Sequence, residues 1–201
     1  MRTLFSLLAL IVLPATAYGD TILVKDQAGK PVANAVVTFA GDGPARSEYG
    51  QPLQIRQQNM MFQPYVLVAP VGAEIEFPNF DRVRHHVYSF SKGNRFQLEL
   101  YGREEHRTVK FDTAGTVAIG CNIHDSMLAY IRVVDAAYGG VTNAEGVVEI
   151  DGLPAGLTAA QVWQPDMSGG TDVSVKLDRT GDTLKLVLPG AFSPPPAGAL
   201  Q

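Results

Sequence analysis

Only one of the 201 residues is a cysteine, Cys121. A lone cysteine excludes an internal disulfide, so in an oxidising compartment its thiol must be buried, modified or metal-bound. Positive charge is also short. Sixteen Lys and Arg face 20 Asp and Glu, a formal net charge of −4, which argues against a nucleic-acid partner. No stretch holds a 3.6-residue apolar period for three turns, so amphipathic helices are not expected. No apolar run reaches the roughly 20 residues that a membrane span requires. The longest, Leu4 to Leu13, lies between Arg2 and the small-residue stretch Ala15-Thr-Ala17. That pattern reads as an export signal, cleaved after Ala17 or, as second choice, after Gly19. No cysteine follows it to carry a lipid. The expectation is an exported, soluble, periplasmic protein.

What the chain does contain is strand signal. Val, Ile, Thr and Phe alternate in short runs separated by Gly, Pro, Asn and Asp. Strands are expected over residues 21–25, 33–39, 52–56, 65–69, 74–78, 85–90, 96–100, 108–111, 116–120 and 128–134. A second series covers 140–142, 147–150, 159–163, 172–177 and 183–188. The fold class expected is all-β, a sandwich or a pair of sandwiches. The end of the chain, Ser193-Pro-Pro-Pro-Ala-Gly, reads as a disordered tail over residues 191–201.

The chemistry concentrates in Cys121-Asn-Ile-His124-Asp-Ser-Met127. A thiolate, an imidazole and a thioether stand within seven residues. Thiolate and thioether suit Cu(I), and imidazole suits both copper oxidation states. A trigonal plane of two histidines and one cysteine needs a further histidine, and His85-His86 offers it. Neighbouring strand residues point to opposite faces, so one member of that pair can face the metal.

The middle of the chain, residues 51–135, resembles a cupredoxin. The residues that carry the likeness are Leu53-x-Ile55, Phe62-x-Pro64, Ile75-x-Phe77-x-Asn79-x-Asp81, His85-x-Val87 and Phe111-Asp-Thr-Ala-Gly115. They lead into the Cys-x-x-His-x-x-Met loop, whose short spacing resembles the amicyanin type, and then into Ile131-x-Val133. The likeness extends to plastocyanin-like proteins and to those of methylamine utilisation. It implies one copper ion held by His85, Cys121 and His124, with Met127 as a weak axial ligand. His86 and Asn122 would support these from behind, Asn122 by bonding towards the His86 segment. Gly120 stands where plastocyanins often have an aromatic residue. The implied role is single-electron transfer without catalysis, to a redox partner such as a c-type cytochrome or a dehydrogenase.

The flanks resemble a carboxypeptidase-regulatory-like (prealbumin-type) sandwich. The likeness rests on Val24-Lys-Asp26-Gln-Ala-Gly29-Lys-Pro31 and on Val141-Thr-Asn-Ala-Glu-Gly146 with Leu153-Pro154-Ala-Gly156. It implies that residues 21–41 and 139–188 form one discontinuous domain, with the copper domain inserted in it or joined to it. Trp163 is expected to pack in the core of that second sandwich. Arg82, Arg84 and Arg95 are candidates for a positive docking rim, and His106 is expected to be exposed.

Other functions leave more unexplained. Copper delivery or storage favours an exposed site rich in Met or His. A non-metal binding module leaves the grouping of Cys121, His124, Met127 and His85 without a reason. A Cys–His hydrolase needs a base and an oxyanion hole, zinc is poorly served by a thioether, and a dinuclear copper centre needs a second cysteine.

Overall fold

The computed structural model describes residues 20–41, 49, 52–167, 171–181, 183–190 and 192, and all regular structure among them is β-strand. The all-β expectation is met. The export segment lies outside the described residues, as does the tail apart from Phe192.

Two hydrophobic cores organise the strands. The first lies under a five-stranded sheet ordered β5 (Val66–Pro70), β11 (His124–Val134), β10 (Gly115–Cys121), β7 (His85–Ser89) and β8 (Phe96–Tyr101). Facing it are the hairpin of β3 (Arg56–Gln58) with β4 (Met61–Gln63) and the pair β6 (Ala73–Glu76) with β9 (Thr108–Phe111). Single bridges, Gln54 to Glu76 and Gln57 to Asn79, join these two pairs. Alternation does the sorting. Along β10, Val117, Ile119 and Cys121 turn inward, and along β11, Met127, Ala129, Ile131 and Val133 do the same. They meet Phe62, Ile75 and Phe111 from the facing strands, and Ile55 and Phe77 next to those strands.

The second core lies between two four-stranded sheets. One is ordered β13 (Val147–Ile150), β1 (Asp20–Asp26), β17 (Thr183–Leu188) and β16 (Asp178–Thr180). The other is ordered β12 (Tyr138–Val141), β2 (Val36–Phe39), β14 (Ala159–Trp163) and β15 (Val173–Lys176). Strands from both ends of the chain therefore share each sheet: β1 pairs with β13 and β17, and β2 with β12 and β14. Gly146, at φ +72°, turns the chain into β13 where a Cβ would lie 2.5 Å from the Val24 carbonyl oxygen, so only glycine fits.

Three details differ from the expectation. Residues 56–63 form a hairpin whose turn residues, Asn59 and Met60, both adopt left-handed φ, 56° and 55°. Asn-Met is not the Asn-Gly signature that marks such turns, which is why the sequence hid it. The strand Asp178–Thr180 is exposed at every residue and so shows no alternation. Trp163 is buried, but it packs with the first core and not the second. Val162 turns into the second core, so the next residue along the strand faces the other sandwich.

Candidate metal centre

Three strand ends converge at one end of the five-stranded sheet. His85 opens β7, Cys121 closes β10 and His124 opens β11. Val87 pairs with Cys121 across β7 and β10, and Cys121 pairs with His124 across β10 and β11. The β10–β11 register breaks between Gly120 and Cys121. Gly120 faces Leu128, while Cys121 faces His124, so the loop slack falls on β11 and lets both His124 and Met127 turn towards the core edge.

The ligand atoms offered by His85, Cys121 and His124 all lie within 4.8 Å of one another. Cys121 Sγ is 3.8 Å from His85 Nδ1 and 3.7 Å from His124 Nδ1. The imidazole centroids are 5.0 Å apart. These separations test whether a metal fits. Metal–nitrogen and metal–sulfur bonds of about 2.05 and 2.3 Å, the zinc values, opened to about 120°, span roughly 3.8 Å. A trigonal ion therefore fits the spacing with both Nδ1 atoms and the thiolate turned inward. Burial suits such a site as well: His85 is 0% exposed and Cys121 3%, whereas His124 is half-buried.

The other candidates fall as follows. Met127 is buried in the same core as Cys121. His86 is buried on the other side of β7, with its ring 5.8 Å from Tyr88 and its Nδ1 without a hydrogen-bond partner. Asn122 is exposed and makes no hydrogen bond to the His86 segment. The Asn122 side chain, at the tip of the turn after Cys121, faces solvent. The tie between strands comes instead from buried Asn79, whose Nδ2 donates to the carbonyls of Val83 (2.9 Å) and Tyr101 (3.1 Å). Arg82 and Arg95 are exposed, as is His106. Arg84 pairs with Glu105 at 3.3 Å.

Asp81 is a residue that sequence reasoning passed over. Its Oδ2 accepts a hydrogen bond from His85 Nε2 at 2.9 Å. The amides of Asn59 and Met60 donate to the same carboxylate at 2.7 and 3.0 Å. Burial pushes the Asp81 carboxyl up, but the Met60 amide, the His85 ring and the Asn59 amide outweigh that and hold it below its ordinary value. The signal was present in the sequence as Asn79-x-Asp81, four residues before His85.

No protein-family model matches the chain, and no curated protein matches it. Solved structures do. A copper-containing nitrite reductase from Thermus scotoductus is 26% identical, with a TM-score of 0.40 over 49% of this chain and 25% of that one. The present chain thus spans a quarter of that enzyme's length. A purple cupredoxin from Nitrosopumilus maritimus is 19% identical, TM-score 0.36, over 40% of this chain and 98% of its own. Amicyanin from Paracoccus versutus is 17% identical, TM-score 0.37, over 49% of this chain and 97% of its own. These likenesses cover 40 to 49% of this chain.

Proposed function

We propose that this protein holds one copper ion in a type 1 site and carries single electrons. The observation that carries the reading is the triangle of His85 Nδ1, Cys121 Sγ and His124 Nδ1, at a spacing that fits trigonal coordination. Copper bound there supplies the Cu(II)/Cu(I) couple. The chain's part is to hold the donors still. Cys121 and His85 are fixed by strand pairing and excluded from water, so little has to move when the charge changes. Met127, buried at the same end, is proposed as the weak axial donor.

Half-buried His124 is the proposed exit for the electron. Exposed Ile123, Phe80 and Val83 lie within two residues of His124, Asp81 and His85 respectively. These apolar side chains suit transient docking of a redox protein, and we propose a c-type cytochrome or a dehydrogenase for that role. No bond-making step is assigned to the protein. Export to the periplasm is part of the same proposal and rests on the segment from Arg2 to Ala17.

The flanks are proposed to be one sandwich of carboxypeptidase-regulatory-like type, interrupted by the copper domain. The pairings of β1 with β17 and of β2 with β14 support this.

The test is redox cycling between ascorbate and a mild oxidant beside an apo copper acceptor. An electron carrier keeps its copper through many cycles and exchanges electrons with a soluble cytochrome. Rapid loss of copper to the acceptor in the reduced state would instead make the protein a copper donor.

A further inference from the structure

We propose that Asp81 is the positioning residue for His85, and that the β3–β4 hairpin tip holds Asp81 in place for this task. The inference rests on the copper reading of the site. Asp81 Oδ2, 2.9 Å away, is the hydrogen-bond partner of His85 Nε2, and His85 is fully buried. A carboxylate only accepts, so Nε2 carries the proton and Nδ1 is left with its lone pair facing Cys121 Sγ, 3.8 Å away. Ring orientation and tautomer are thus fixed by one contact.

Asp81 is itself held at its backbone and at its carboxylate. Its own amide donates to Asn79 Oδ1 at 2.8 Å, closing a short turn. The amides of Asn59 and Met60 donate to its two oxygens. Met60 takes a left-handed φ of 55°, which a residue with an unbranched apolar side chain rarely adopts. That conformation aims two successive amides at one anion. The hairpin tip thereby reaches His85 through a single side chain, although 25 positions of sequence separate Met60 from His85.

An anion behind a metal-bound imidazole strengthens its electron donation and favours the more highly charged ion. Asp81 should therefore lower the reduction potential as well as raise metal affinity. Two variants separate charge from geometry. Asp81→Asn keeps an acceptor oxygen for Nε2–H but removes the charge. Asp81→Leu removes both.

The experiment combines nitrogen-15 NMR of the histidine rings in the metal-free full-length protein with voltammetry and copper titration of the loaded protein. Wild type should show His85 protonated at Nε2 and bare at Nδ1. Asp81→Asn should keep that tautomer and raise the potential, and Asp81→Leu should lose the tautomer preference and weaken copper binding about 10- to 100-fold. Finding Nδ1–H in the wild type overturns the proposal. So does an unchanged potential in Asp81→Asn together with unchanged affinity in Asp81→Leu. If wild type gives no intense thiolate-to-copper band, the copper reading fails, and the ring tautomer still decides the role of Asp81.

Discussion

Trp163 meets Tyr130 edge-on across the two sandwiches, with ring centroids 5.8 Å apart. Tyr130 lies on the strand that also bears His124 and Met127, and it meets Tyr65 edge to face at 5.6 Å. Arg132, from the same strand, covers the Trp163 ring and pairs with Asp172. The seam therefore couples the sheet that bears His85, Cys121 and His124 to the flanking sandwich through large apolar surfaces.

Trp163→Ala should destabilise the protein by about 3 to 5 kcal/mol, the usual cost of emptying a buried aromatic site. Denaturant unfolding followed by circular dichroism measures it. A loss below about 1 kcal/mol would mean that the two sandwiches do not depend on this seam.

Met127 is expected to tune the potential. Met127→Gln puts a harder oxygen donor near the copper and should lower it, whereas Met127→Leu removes the thioether and should raise it. Voltammetry showing neither shift would leave Met127 as packing alone.

Gly120 lies beneath the ring of Tyr88, where a Cβ would come within 3.1 Å of Cζ and the hydroxyl. Gly120→Ala should displace Tyr88 and cost about 1 to 3 kcal/mol by overpacking next to Cys121. Combining it with Tyr88→Ala should recover part of that loss, since the clash is removed. Additive losses in the double-mutant cycle would show that the two residues do not compete for space.

Alkaline pH should weaken the fold. Burial pushes the Tyr65 hydroxyl up to about 12, and burial also raises Tyr49 and Tyr101. The Tyr49 and Tyr101 hydroxyls donate to the carbonyls of Ala136 and Phe77. A phenol raised in the folded state contributes stability that is complete below its unfolded value of about 10 and is lost as pH climbs towards the folded value. Unfolding free energy should hold level up to about pH 10 and fall above it. An unfolding free energy that stays level from pH 10 to about pH 12 would contradict this.

The parts legible in sequence were those with a local signature. Alternation exposed most strands, and the donor types at 121, 124 and 127 exposed the ligand loop, because cysteine and histidine have few other reasons to sit so close. Asn122 invited a supporting role by adjacency, yet a turn tip points outward. Asp81 was hidden for the opposite reason. Its partners come from two segments, the hairpin turn at Asn59 and Met60 and the start of β7 at His85, which meet only once the facing strands have packed. Trp163 packs in the other core because β14 buries both of its faces, Val162 against the second core and Trp163 against the first, and alternation alone does not tell the two apart.

The central claim is that His85, Cys121 and His124 form one copper plane, and the visible spectrum of the oxidised, copper-loaded protein tests it most directly. An intense thiolate-to-copper band should appear in the wild type, vanish in Cys121→Ser and His85→Ala, and largely persist in His86→Ala. Copper binding without that band, or a band that survives Cys121→Ser, would contradict the account.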